Sequence, residues 1–176
     1  GYNIIIYDRY DRPGGLLIYG IPNFKLEKFV VERRTKLLAK GGIKFIQNFE
    51  VGRDASLDEL RDKHDALLVA TGVYKPREIE ISGNDLGNIF PAMDFLMASN
   101  RKGLGDKVKN FDNGILNTKG KDVTVIGGGD TAMDCVRTSI RQNAKSVKCI
   151  YRRDKENMPG SAREVLNAEE EGVEFI

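Results

Sequence analysis

The strongest chemical signal in the sequence is the run VTVIGGGDTAMD at residues 123–134, which sets Gly127, Gly129 and Ala132 in the spacing G-x-G-x-x-A. An apolar β-branched stretch precedes it and a helical pattern follows, the context in which such glycines bind a dinucleotide. Gly127 permits the tight turn, Gly129 lets the backbone approach a pyrophosphate, and Ala132 lets the helix pack closely on the strand. The helix N-terminus adds free N–H groups and a positive dipole end for the phosphates.

The end of the next strand selects between nucleotides. An acidic residue there would accept hydrogen bonds from a ribose 2′-OH, whereas a basic residue accommodates a 2′-phosphate. Tyr151-Arg152-Arg153 stands at that place, with Arg152 following Gly129 by 23 residues. Arginine offers a planar fork of donors suited to phosphate, so NADP is favoured over NAD, although Asp154 weakens the local field slightly. A second such position is Asp8, which closes the β-branched run NIIIY and precedes the turn at Gly14-Gly15. This is where a dinucleotide site carries its ribose-binding carboxylate. The glycine loop expected about 20 residues earlier would fall before residue 1.

These groups need strands and helices to hold them. Asn3–Tyr7 reads as a buried strand of a parallel sheet. From Lys25 to Lys40 the apolar Leu26, Phe29, Val30, Leu37 and Leu38 fall mostly at three- and four-residue steps, and Gly41-Gly42 supplies a stop, predicting an amphipathic helix. Ile43–Ile46 reads as a strand and Phe49–Val51 as a candidate for another. Ser56 with Glu59 forms a capping-box signature for a short helix before a strand at Ala66–Ala70. Residues 76–120 are rich in Gly, Asn and Lys apart from one helix near Ala92–Ala98, and are expected to cross between domains. Then strand Val123–Ile126, helix Thr131–Arg141, strand Val147–Tyr151, helix Ala162–Glu171 and the start of a further strand alternate, as in a doubly wound parallel sheet.

The expected fold class is therefore α/β, with two Rossmann-like dinucleotide-binding domains, both incomplete in this chain. Residues 1–78 would be a partial FAD-binding domain, 79–120 the crossover, and 121–176 the N-terminal part of an NADPH-binding domain. At 176 residues the chain is too short for two complete domains of this kind. It lacks a starting Met, and both ends read as cut.

With 28 basic and 26 acidic residues, the net charge of +2 argues against a nucleic-acid footprint and against steering to an anionic membrane. The apolar runs are far below the roughly 20 residues a membrane span requires, and no leader pattern opens the chain, so a cytoplasmic location is expected. Cys135 and Cys149 are the only cysteines and form no CxxC, which points away from zinc or iron–sulfur ligation within this chain. His64, the only histidine, reads as a surface residue, since no nucleophile motif accompanies it.

The segments DRPGGLLIYGIPNFKL, DALLVATGVYKPR and VTVIGGGDTAMDCVRTSIRQNAKSVKCIYRRDKENMPGSAREVLNAEEEGVEF together resemble the small (beta) subunit family of bacterial NADPH-dependent glutamate synthases. The resemblance spans essentially the whole chain. It is shared more loosely with the flavin/NADPH domains of dihydropyrimidine dehydrogenase and with adrenodoxin-reductase-like enzymes. It implies an FAD domain interrupted by an NADPH domain, with electrons passing from NADPH to FAD, through iron–sulfur clusters, to FMN on the large (alpha) subunit, the implied partner. It also implies that Asp8 contacts the FAD ribose, and that Arg12, Gly14, Gly15, Leu16 and Lys25 line the FAD. Thr71 and Gly72 would approach the flavin nucleotide, and Val51 would touch adenine through its backbone. Gly128, Gly129, Asp130, Thr131, Arg152 and Arg153 would carry NADPH.

The family's cysteine-rich iron–sulfur region, first glycine loop and C-terminal FAD segment lie outside this sequence. The fragment alone is expected to bind NADPH weakly and to hold no stoichiometric FAD. The cofactors would carry the hydride chemistry while the protein orients them, so no catalytic side chain is expected. Two other acceptor-side readings are a dinucleotide-binding docking fragment without turnover and a related NADPH:iron–sulfur flavoprotein reductase with another acceptor. A sugar-nucleotide epimerase or short-chain dehydrogenase would need Tyr-x-x-x-Lys, but Tyr74 is followed four residues later by Glu78.

Overall fold

A computed structural model describes residues 1–74 and 80–176. The chain separates into two compact units, one of Gly1–Ile18 with Leu26–Pro76, the other of Tyr19–Lys25 with Arg77–Ile176. The expected domain boundary at residues 78 and 79 begins within a stretch outside the described residues. Among the described residues every strand pairing is parallel, and no helix is long and apolar enough to cross a membrane.

In the first unit, β1 (Ile5–Tyr7) pairs with β2 (Lys44–Ile46), Ile6 lying opposite Phe45. A short α1 (Leu16–Tyr19) follows the glycine turn, and α2 (Lys28–Lys40) connects the strands. The helix begins at Lys28 rather than Lys25 because residues 22–25 form a turn, with Lys25 N–H donating to Pro22 O at 3.0 Å. It ends at Gly41-Gly42, where Gly42 takes φ +99°, a conformation glycine adopts without a Cβ penalty. The capping box forms as expected: Ser56 accepts from Glu59 N–H, and Glu59 accepts from Ser56 N–H, opening α3 (Leu57–Lys63).

Two expected strands do not form. Among the described residues Ala66–Ala70 pairs with no strand, and Leu68 is 88% exposed. A strand needs a ladder partner for its N–H and C=O groups, and among the described residues no backbone hydrogen bond joins this run to β1 or β2. Phe49–Val51 contributes only an isolated parallel bridge, Val51 to Ala55.

The second unit holds α4 (Ala92–Gly103), α5 (Lys109–Asp112), β3 (Asp122–Ile126), α6 (Asp130–Arg141), β4 (Ser146–Ile150), α7 (Ala162–Glu170) and β5 (Glu174–Phe175). Its sheet runs β3-β4-β5, with Asp122 opposite Ser146 and Lys148 opposite Glu174. Each crossover returns through a helix, the arrangement parallel strands require. Met133 and Val136 of α6, Cys149 of β4 and Ala168 of α7 are fully buried and form the core with Val147, Val165 and Val173. α4 packs on α6 as well, so α6 is buried continuously from Ala132 to Ser139. Its polar positions therefore need partners inside the protein.

Candidate dinucleotide site

The chain leaves β3 at Ile126 and turns at Gly127, whose φ of +144° favours glycine. Gly127 N–H donates to Ile150 O at 2.9 Å, tying the turn to the end of β4. The Cys149 thiol donates to Gly127 O at 3.2 Å. A Cβ on Gly128 would lie 2.7 Å from the Tyr151 ring, so the aromatic ring occupies the place of a side chain there. A Cβ on Gly129 would meet nothing within 4 Å, leaving that face of the backbone approachable. Ala132 Cβ sits 3.5 Å from the position a Cβ on Gly127 would take, the close helix-to-turn contact that a larger side chain would prevent.

Gly129 is the N-cap of α6, and its carbonyl accepts from Ala132 and Met133 N–H. The amides of Asp130 and Thr131 precede any intrahelical acceptor, and the twelve-residue helix adds the positive end of its dipole. The Asp130 carboxylate accepts from Ser161 N–H at 2.9 Å. Arg152 and Arg153 occupy an exposed bend just after β4, and among the described residues neither is ion-paired. Asp154 is engaged locally, accepting from Asn157 N–H and side-chain amide. The arrangement offers amides and a glycine face for an anion, with two uncommitted guanidinium groups nearby in sequence.

In the first unit Asp8 follows β1; its N–H donates to Ile46 O, and Oδ1 accepts from Tyr10 N–H at 3.0 Å. Gly14, Gly15 and Gly72 all take positive φ, and a Cβ on Gly14 would fall 2.8 Å from Val31. Tyr74 gathers the others: its ring or hydroxyl lies 3.6–3.7 Å from where Cβ atoms on Gly15 and Gly72 would stand. Arg9 lies over the Tyr74 ring at 4.5 Å. Burial raises the Tyr74 phenol above its ordinary pKa, as do Tyr10 and Asp8, while Arg9 opposes them. Thr71 and Leu16 are exposed, and Arg12 pairs with Asp11 at 3.4 Å. Val51 is 45% exposed at its bridge with Ala55.

Lys25 is an ion-paired residue. It belongs to the second unit, where its ammonium lies 2.8 Å from Asp134 and 3.2 Å from Glu164. Burial pushes the Asp134 carboxyl up, with Lys25 opposing. For Lys25, burial works against the charge, and hydrogen bonds and charge from Asp134 and Glu164 outweigh it, leaving the amine above its ordinary value. Arg137 continues the network to Glu164 and Glu171, and Arg141 also binds Glu171. Phe24 packs under both guanidinium groups, at 4.9 and 3.8 Å. His64 accepts or donates a 3.1 Å hydrogen bond with the Tyr7 hydroxyl.

The sequence pattern assigns no site role to Tyr74, Tyr151, Gly160 or Asp134. The Met-Pro-Gly-Ser turn at 158–161 was a legible cue to a constrained loop; the partners of Asp134 were not readable, since Lys25 lies 109 residues away.

A model of the pyridine nucleotide-disulphide oxidoreductase family matches residues 17–176. The chain belongs to this family. Its two cysteines are both free and buried. Among curated relatives of this chain, the glutamate synthase [NADPH] small chain of Azospirillum brasilense is 68% identical over all 176 residues, which cover 36% of that protein. The putative glutamate synthase [NADPH] small chain of Cereibacter sphaeroides is 58% identical, with 42% of its length covered. The chain thus spans well under half of these relatives. Mycobacterium tuberculosis FprA in complex with NADPH shares the fold, with a TM-score of 0.75 at 21% identity over 96% of this chain and 40% of FprA.

Proposed function

We propose that this chain is part of a cytoplasmic NADPH-dependent oxidoreductase of the glutamate synthase small-subunit type, delivering electrons to a glutamate synthase large subunit that forms L-glutamate from glutamine and 2-oxoglutarate. The observation that carries the reading is the glycine turn at 127–129, approachable at Gly129, with Arg152 and Arg153 uncommitted at the end of β4. When bound, the nicotinamide and flavin supply the redox chemistry themselves. The protein's part is binding and orientation.

Asp130 and Thr131 N–H groups and the α6 dipole would neutralise a pyrophosphate, and Gly128 and Gly129 would let it approach. Arg152 and Arg153 would hold the 2′-phosphate of NADPH. On the flavin side, Asp8 keeps acceptor capacity beyond the Tyr10 amide, because a carboxylate has about four lone-pair sites, and would take the FAD ribose. Gly14, Gly15, Thr71 and Gly72 present backbone to that nucleotide, with Arg12, Leu16 and Val51 beside it. Lys25, ion-paired to Asp134 and Glu164 in the second unit, would line the FAD as well. In this reading residues 1–78 serve the flavin, 121–176 the NADPH, and 79–120 cross between two Rossmann-like domains.

Replacing Arg152 and Arg153 together by Ala tests the reading. Affinity for NADPH should fall by about a hundredfold, two charge-assisted contacts at roughly 1.4 kcal/mol each, while NADH binding changes little. Equal weakening of the two nucleotides would overturn it.

A further inference from the structure

The loop between β4 and α7 carries Arg152 and Arg153 and then returns to the glycine turn. Gly160 N–H donates to Gly128 O at 2.9 Å, and Ser161 N–H donates to Asp130 Oδ1 at 2.9 Å. A Cβ on Gly160 would stand 2.9 Å from Gly128 O, 3.3 Å from Gly129 C and 3.4 Å from Asp130 N. Position 160 therefore has no room for a side chain, and the backbone it abuts is the backbone a pyrophosphate must reach. The near end of the loop is anchored on the same glycine: the Tyr151 ring fills the space of a Gly128 side chain, and its hydroxyl donates to Asn157 O at 3.4 Å. Asp154 closes the interior by accepting from Asn157 N–H at 2.9 Å.

We propose that Gly160 and Asp130 form a latch that holds the arginine-bearing loop in register with the glycine turn, making them positioning residues for discrimination of a nucleotide 2′-phosphate. The inference rests on the NADPH reading given above. Its physical basis is preorganisation. Each arginine stands on a flexible stem in an exposed bend, so its fork meets a phosphate only if the backbone beneath is fixed relative to the pyrophosphate site. The two latch bonds join the far end of the loop to Gly128 and Asp130 themselves, so the distance between the two anion sites is set by the turn.

The test is titration calorimetry of adenosine 2′,5′-bisphosphate and of 5′-AMP into the whole protein that carries this chain, which reads 2′-phosphate preference without turnover. Gly160→Ala should cut the preference about tenfold, the scale expected when a positioned contact shifts by a fraction of an ångström. Asp130→Ala should cut it about threefold, for one lost hydrogen bond, whereas Asp130→Asn, which keeps the Oδ1 acceptor, should retain it. A natively folded Gly160→Ala protein with unchanged preference would overturn the latch. Should that variant not fold, equal preferences in Asp130→Ala and Asp130→Asn would overturn it. The Arg152→Ala/Arg153→Ala variant separates the two claims. If it keeps the preference, the NADPH reading fails; if it loses the preference while the latch variants keep it, only the latch fails.

Discussion

Between β3, β4 and the helices of the second unit, Met133, Val136, Cys149 and Ala168 are wholly withdrawn from solvent, while in the first unit Ile6 and Ile46 remain 37% exposed and Leu68 88%. Both regions carry short runs that read as strands. The difference is that β4 has a ladder partner on each edge and helices over one face, whereas the 66–70 run has neither among the described residues. A strand pattern in sequence states a capacity for pairing; the neighbours decide whether it is used.

The sharpest way to break the comparison is to truncate the buried side of it. Met133→Ala should destabilise the second unit by about 3–4 kcal/mol, through lost transfer energy and a residual cavity. Hydrogen exchange of α6 amides measures this, and a loss below about 1 kcal/mol would show that the core relaxes around the gap.

Acid probes the same unit through Glu171. Burial works against its charge, but hydrogen bonds and charge from Arg141 and Arg137 outweigh this and hold the carboxyl at about 2, against an ordinary value of 4.5. Because the folded value is the lower one, the stabilisation is complete above about pH 5 and fades as pH falls toward 2; solvent screening of this partly exposed pair holds it to about 1–2 kcal/mol at full strength. The stability gap between the native protein and Glu171→Gln should therefore close over that range. A gap independent of pH would remove the ion-pair account.

A smaller effect is expected at Lys25. Lys25→Ala leaves the Asp134 carboxylate without its nearest cation and should cost about 2 kcal/mol, tempered by residual exposure. Asp134→Asn added to it should recover most of that loss in urea denaturation. The smallest effect is the counterpart of the first: Leu68→Ala should change stability by less than about 0.5 kcal/mol, since little is buried there to lose.

How far the sequence foretold this follows the range of the interactions. The glycine turn, the helix it opens, the capping box at Ser56 and the stop at Gly41-Gly42 are local, and each formed within a few residues of expectation. The helix near Ala92–Ala98 ran on to Gly103; nothing stronger than weak helix formers stood in its way. What local pattern could not carry was partnership at a distance. Lys25 read as part of one helix with Lys28, yet a turn separates them and the ammonium goes to Asp134. The fit of Gly160 against Gly128 depends on a loop closing over 32 residues, and no periodicity announces it.

The two thiols give the asymmetry a practical consequence. Burial, with the charges of Asp134 and Cys149, pushes Cys135 up to about 12, and burial also raises Cys149. Alkylating reagents attack the thiolate, so neither sulfur should react at neutral pH while α6 and β4 stay closed. Every cysteine of the chain lies in the second unit. Iodoacetamide incorporation is therefore a built-in clock: its rate counts the openings of the nucleotide-turn unit alone, and the looser unit can fluctuate without advancing it.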